Sequence, residues 1–280
     1  MTQKHYTQAP LPFQGQKRRW GKEFRQALQA FPQCATVVDL FGGSGLLSRM
    51  ARDTMPHARV IYNDFDGYAR RIEALPRTND LLGRIRPVVA PVPENKRLPA
   101  GLRDRVLELV RQEESESGYV DYVTLSASLL FSMKYANDLA ELGRETLYNN
   151  LRQSPYEATG YLDGLEVVHE DYRTLFARWR HRPDVLFLVD PPYLSTDTHT
   201  YTGYWQLRDY LDVLHTLHGT NYIYFTSDKS QLVELCGWLE ANHPVANPFR
   251  GAVRLERGTN VNYAARYTDI MLYKSLLNTD

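Results

Sequence analysis

The residues of this 280-residue chain best suited to chemistry are acids that close apolar runs. Val185-Leu-Phe-Leu-Val189 leads into Asp190-Pro191-Pro192-Tyr193. The run predicts a strand buried on both faces. Neither proline can donate to a ladder, so the strand must stop at Asp190. A carboxylate and a tyrosine then stand at the carboxyl end of a strand, where open α/β sheets bind their ligands. A plain strand-ending turn, with a solvated acid and a packing ring, is the simpler alternative. The rest of the chain decides between them.

Thr36-Val-Val-Asp39 reads as a second strand, running through Leu40-Phe41-Gly42-Gly43-Ser44-Gly45 into a helical stretch from Leu46 to Ala51. Glycines in such a turn let the backbone approach a ligand where a side chain would collide. The spacing is F-x-G-x-G, not the G-x-G-x-x-G of dinucleotide sites, and no Gly-Lys-Ser/Thr follows to cradle a phosphate. Arg59-Val-Ile-Tyr-Asn-Asp64 ends in another acid, placed to accept from two ribose hydroxyls. Together these make one βαβ unit suited to an adenosine-bearing ligand. Leu165 to Tyr172 returns to strand character and also ends in an acid and an aromatic. Asp171 could accept from an exocyclic amine with Tyr172 against a ring, or serve as a helix N-cap, and the two are compatible. Near the start, Phe13-Gln-Gly15-Gln-Lys17-Arg18-Arg19-Trp20 is a glycine turn and a basic cluster opening a helix to about Ala30.

The elements that position these residues alternate strand and helix at both ends of the chain. Helices are expected at 207–217 and 231–241, a strand at 221–226, and an antiparallel pair at 250–256 and 267–273 joined by a polar loop, 257–262. The threonine-rich 195–204 is expected to be a mobile lid. Between 67 and 164 the alternation breaks down. That stretch carries a basic run from Arg70 to Arg111, a proline-rich link (Pro87, Pro91, Pro93, Pro99) and helices expected at 103–114 and 124–140. The expected fold is therefore α/β, with 1–66 and 165–280 forming the sheet domain and 67–164 a mostly helical insertion. Basic residues interleaved with tyrosines there suit phosphates and bases, or simply a solvated face.

Composition narrows the classes. A hydrophobic content of 43% supports a full core, and the formal net charge of zero supplies no global field for a polyanion, so nucleic acid would have to meet local basic patches. Two distant cysteines, Cys34 and Cys236, offer neither metal spacing nor a disulfide framework. No stretch reads as a signal peptide or a membrane span, so no membrane partner and a soluble, reducing, cytoplasmic setting are expected. The 19 tyrosines suit stacking sites, though a core could absorb most of them.

With F-x-G-x-G preceding D-P-P-Y, most of the chain resembles the S-adenosylmethionine-dependent DNA adenine (N6) methyltransferases. The resemblance implies a Rossmann-like methyltransferase sheet with helices on both faces, 67–164 as the target-recognition domain, and double-stranded DNA as partner. It implies that Phe13 and Phe41 pack on the methionine portion of S-adenosylmethionine, with Gly15, Gly43 and Gly45 permitting close approach. Asp39 would face the amino group, Asp64 the ribose, and Asp171 and Tyr172 the adenine. Lys17 would face the cofactor, the DNA backbone or the recognised base. Asp190, Pro191, Pro192 and Tyr193 would be catalytic. An exocyclic amine is a poor nucleophile because its lone pair is delocalised. Acceptance of both amine hydrogens, by Asp190 and the Pro191 carbonyl, frees that lone pair, while Tyr193 stacks on the flipped base. No cysteine sits in a Pro-Cys setting, which disfavours cytosine-carbon methylation. An N4-cytosine enzyme shares the amine geometry; a non-catalytic DNA-binding descendant, or an enzyme acting on RNA or protein glutamine, are the other readings. The recognised sequence and the oligomeric state, a monomer included, stay open.

Overall fold

The computed structural model describes residues 5–131, 134–192, 206–242, 247–260 and 266–278. Its strands are β1 (Thr36–Asp39), β2 (Arg59–Asn63), β3 (Leu165–Val168), β4 (Val185–Val189), β5 (Asn221–Ser227), β6 (Val253–Asn260) and β7 (Arg266–Lys274). They form one seven-stranded sheet in the order β3-β2-β1-β4-β5-β7-β6. The first five run parallel, and β7 lies antiparallel between β5 and β6. This is the Rossmann-like α/β sheet that the sequence leads one to expect.

Period-two alternation within continuously apolar strands explains why both faces are covered. Leu186 and Leu188 of β4 join Val37, Val60, Ile223 and Phe225 against α1 (Gly21–Leu28) and α2 (Leu46–Thr54). Val185, Phe187 and Val189 face the other way, with Val38, Ile61, Tyr222 and Tyr224, against α8 (Tyr172–Trp179), α9 (Leu207–Leu217) and α10 (Leu232–Asn242). Each such side chain taken from water contributes about 1.5–3 kcal/mol, which is why β4, buried on both faces, sits at the centre.

The chain divides into two compact units. Met1–Gln8, Lys17–Asp66 and Leu162–Asp280 form the sheet unit; Ala9–Gln16 and Gly67–Tyr161 form the other. The second contains α3 (Tyr68–Glu73), α4 (Leu75–Val89), α5 (Ala100–Ser117), α6 (Tyr122–Leu129) and α7 (Leu139–Arg144) around its own apolar core. Membership of Ala9–Gln16 departs from the sequence reading, which leaves the whole N-terminal stretch with the sheet. The reason is long-range bonding: the Leu11 amide donates to the Tyr68 hydroxyl at 2.9 Å, and the buried Arg71 guanidinium donates to the Pro12 carbonyl at 2.8 Å.

Three element expectations also need correction. The helix expected over 124–140 is two helices, because Leu130 turns extended and Asp138 caps a new start by accepting from the Glu141 amide. Pro87, read as part of a link, lies in the last turn of α4, whose apolar face of Leu81, Leu82, Ile85, Val88 and Val89 is buried. The loop expected from Arg257 is strand as far as Asn260, paired to β7. No helix among the described residues is long and apolar enough to cross a membrane.

Candidate active site

Strand order fixes where a ligand can sit. From β1 the chain builds outward to β2 and β3, and from β4 it builds the other way to β5. The carboxyl ends of β1 and β4 are therefore the switch point at which open α/β sheets bind ligands. Asp39 pairs in register with Leu188, so Asp39 and Asp190 lie on neighbouring strand ends.

Asp190 follows β4 as expected, and its partner is Lys17. The Lys17 ammonium lies 2.6 Å from Oδ2 of Asp190, with side chains only 10% and 15% exposed respectively. Among the described residues, Oδ1 of Asp190 is buried without a hydrogen-bond donor. Burial pushes this carboxyl above the usual range, and the Lys17 charge and hydrogen bond oppose that rise. Lys17 also lies 5.7 Å from the Phe225 ring centroid, so its stem runs along the core edge. Pro191 is buried and Pro192 half-buried; Tyr193, with the expected lid at 195–204, lies outside the described residues.

Asp39 is wholly buried. Its Oδ2 accepts from the Ser48 hydroxyl at 2.7 Å, and its Oδ1 has no donor among the described residues. Burial pushes the carboxyl up to about 7, with Asp190 adding to the rise and Ser48, the Phe41 amide and Lys17 opposing it. Two acids thus end adjacent strands, each with one buried oxygen awaiting a donor.

The glycine turn is shaped by Tyr62. Its hydroxyl lies 2.7 Å from the Gly43 carbonyl and 3.0 Å from Oδ1 of Asp64, which ties the turn to the end of β2. A Cβ on Gly42 would stand 2.3 Å from the Tyr62 ring, and Gly45 holds a φ of 71° at the start of α2. Gly43, at φ 49°, also takes the left-handed region that favours glycine. Part of the glycine requirement is therefore internal packing and not ligand approach.

Asp171 caps α8 by accepting from the Arg173 amide at 2.8 Å. Tyr172 is buried, its ring 4.8 Å from that of Phe41. Phe13 and Gly15 belong to the second unit, where the Phe13 ring meets Tyr68 edge-on at 5.8 Å. The sheet unit thus assembles Lys17, Asp39, Phe41, Gly43, Gly45, Asp64 and Asp190 along the carboxyl ends of β1, β2 and β4.

No protein-family model matches the chain. A Haemophilus influenzae protein described as "Putative methyltransferase" is 35% identical over 284 residues, covering 97% of this chain and 93% of that one. The chain belongs to the methyltransferases. The crystal structure of the SAM-dependent methyltransferase from Agrobacterium tumefaciens aligns with TM-score 0.41 and 12% identity, over 93% of this chain. This methyltransferase spans 63% of the length of that chain.

Three further residues of the site lie outside the sequence reading. Ser48 is one turn into α2, and only the fold shows that it reaches Asp39. Tyr62 was legible: it lies two residues before Asp64 and so on the same strand face. Phe65 follows Asp64 and is 47% exposed, stacked on His169 with centroids 5.4 Å apart and planes 3° from parallel. Nδ1 of His169 is 2.8 Å from the Asp64 carbonyl, so that nitrogen carries the proton and fixes the ring. An aromatic directly after a strand-end acid was the available signal.

Proposed function

We propose that this methyltransferase transfers a methyl group from S-adenosylmethionine to the exocyclic N6 amine of an adenine flipped out of duplex DNA. The observation that carries the reading is the buried, unpartnered Oδ1 of Asp190 at the end of β4, with the Asp-Pro-Pro sequence that follows it. A carboxylate held that way accepts one hydrogen of an amine, and the Pro191 carbonyl takes the other. The nitrogen lone pair is then withdrawn from the ring and available for attack. Bound S-adenosylmethionine supplies a methyl on a sulfonium, whose loss leaves a neutral thioether. Once methylated the amine is acidic and sheds its proton, so Asp190 need not be a strong base. Tyr193 supplies the face on which the flipped base stacks.

The strand-end residues suit that cofactor. Asp39 offers a buried acceptor to an ammonium, Asp64 an acceptor to ribose hydroxyls, and the Phe65–His169 stack a flat face to adenine. Phe41 borders the methionine portion. The pKa of Asp39 makes the first assignment testable. A ligand ammonium favours the ionised form, so cofactor affinity should fall below about pH 7, by up to roughly tenfold per pH unit, with a proton released on binding. In the unliganded chain the sign is the reverse of an ordinary acid. The folded state holds a proton between pH 3.8 and about 7 that the unfolded state has lost, so the contribution of Asp39 to stability declines as pH rises through that window. Asp39→Asn should bind the cofactor weakly and with no pH dependence in titration calorimetry. A flat wild-type profile would remove Asp39 from the cofactor site.

For DNA, Arg18, Arg19 and Lys22 are exposed and have no acidic partner among the described residues, one to five residues beyond Lys17. In the second unit several arginines of the basic run are used internally: Arg71 with Asp121, Arg84 with Asp80 and Glu113, Arg111 with Glu108. Arg77, Lys96, Arg97 and Arg105 stay exposed and free of acidic partners among the described residues. Replacing Arg18 and Arg19 together by Gln should weaken DNA binding uniformly across sequences and reduce the salt slope by about two, leaving cofactor affinity unchanged. An unaltered slope would place the phosphate contacts elsewhere.

The deciding experiment is transfer of labelled methyl from S-adenosylmethionine to unmethylated genomic DNA, followed by nucleoside analysis. Label in N6-methyladenine supports the proposal. Label in N4-methylcytosine keeps the chemistry and changes the base. Cofactor binding with no label in any DNA overturns the DNA reading in favour of RNA, protein or a binding-only descendant.

A further inference from the structure

The Lys17–Asp190 pair is more specific than a role for Lys17 at the cofactor would require, and the inference drawn from it rests on the proposed amine methylation. A carboxylate that must take one hydrogen from a substrate amine needs one oxygen open and its charge retained. Asp190 meets the first need: Oδ2 is bound at 2.6 Å by Lys17, while Oδ1 is buried and has no donor among the described residues. We propose that Lys17 is a positioning residue for Asp190, its ammonium holding Oδ2 so that Oδ1 is presented to the substrate amine.

The surroundings show why a cation is needed there. Asp39 at the end of β1, Asp269 on β7 and the Tyr224 phenol on β5 all interact electrostatically with Asp190, and none carries positive charge. Burial and Asp269 both favour a protonated Asp190, and Lys17 opposes them from the turn before α1. Without the ammonium, burial and Asp269 act in one direction. Asp190 would hold its proton to higher pH, no cation would reserve Oδ2, and the acid could offer a donor where the amine needs an acceptor.

Two other roles for Lys17 make different predictions. A placeholder ammonium, expelled when the amine arrives, would compete with substrate, and its removal would raise kcat/KM. A cofactor ligand would raise the KM for S-adenosylmethionine on removal and leave the acid limb of kcat in place.

The test uses the full chain labelled with ¹³C at aspartate carboxyls, with the Asp190 resonance assigned by its loss in Asp190→Asn. Wild type, Lys17→Met, Lys17→Gln and Lys17→Arg are titrated without cofactor, and their methyl-transfer rates are measured against pH. The Asp190 midpoint should rise by about one pH unit or more in Lys17→Met and Lys17→Gln, and return toward wild type in Lys17→Arg. The acid limb of kcat should move with it, at unchanged cofactor KM. An unmoved Asp190 midpoint in folded Lys17→Met or Lys17→Gln overturns the proposal, whatever the activity. So does a raised kcat/KM, or a raised cofactor KM with the acid limb in place. If wild type transfers methyl to no nucleic acid, the functional reading fails, and the titration still decides whether Lys17 controls the charge on Asp190.

Discussion

Asp190→Asn should reduce methyl transfer by roughly 10²–10⁴-fold, the range for loss of a proton-accepting group at a reacting centre, while S-adenosylmethionine binding stays close to wild type. An amide keeps the shape but presents an NH₂ or a weaker acceptor, so the substrate amine loses the charged oxygen that draws its hydrogens. Asn is preferable to Ala for a reason specific to this site. Lys17 is only 10% exposed, and deletion of its anion leaves a largely buried ammonium with no counter-charge. Removing one member of a buried pair costs about 3 kcal/mol or more, so Asp190→Ala would mix a folding defect with a chemical one. The double variant Asp190→Asn, Lys17→Met removes that burden and should be as inactive as Asp190→Asn but more stable than Asp190→Ala. Single-turnover transfer and equilibrium cofactor binding, measured side by side, separate the outcomes. Equal losses in rate and in cofactor affinity would make Asp190 part of the cofactor site and end its assignment to the amine.

The same pair marks the limit of what the chain discloses before folding. Strand ends were readable because a strand must stop at tandem proline and because a glycine turn follows Asp39; local rules decide such features. Helices α9 and α10 and the antiparallel close of the sheet were readable from periodicity for the same reason. Asp121 and Asp138 cap the starts of α6 and α7, local features that divide the single helix which the apolar pattern of 124–140 predicts. The contact between Lys17 and Asp190 is of another kind. It joins residues 173 positions apart, and no spacing rule links a lysine before α1 to the end of β4. Ser48 on Asp39, and the capture of Ala9–Gln16 by Tyr68 and Arg71, are likewise tertiary. Chemistry-bearing residues were therefore legible as members of strand ends, and their charges and partners were not. Asp39 illustrates the gap: its type suggests an ordinary ionised acid, and only complete burial reveals a group poised near pH 7.

Gly42→Ala should be the most damaging single-methyl change in the glycine turn. The added Cβ would lie 2.3 Å from two carbons of the Tyr62 ring and 2.8 Å from the Asn63 carbonyl oxygen, far inside contact distance. The ring cannot swing aside cheaply, since its hydroxyl is held between the Gly43 carbonyl and Asp64 and the residue is fully buried. Nor can the turn lift away, because the Gly42 amide donates to the Asn63 carbonyl at 3.2 Å. Overpacking of this kind costs about 1–3 kcal/mol where neighbours can shift, and the upper end is expected here, several degrees in Tm. Gly45→Ala is the informative comparison. Its Cβ would meet the same ring at 3.3 Å, a milder approach that still asks the ring to give by a few tenths of an ångström, and its φ of 71° would cost roughly 1–2 kcal/mol for any residue with a side chain. Both variants lose stability, by separate mechanisms, and they differ in what they do to ligand binding. Displacement of Tyr62 by Gly42→Ala uncouples Asp64 from the turn, so S-adenosylmethionine affinity should fall by more than the stability loss alone explains. Gly45→Ala strains the start of α2 with less disturbance of Asp64, and affinity should fall less. Melting curves with and without saturating cofactor measure both effects. If Gly42→Ala melts with wild type and binds S-adenosylmethionine as tightly, the Tyr62 ring is not pinned, and the glycine there is needed for something other than the room it leaves.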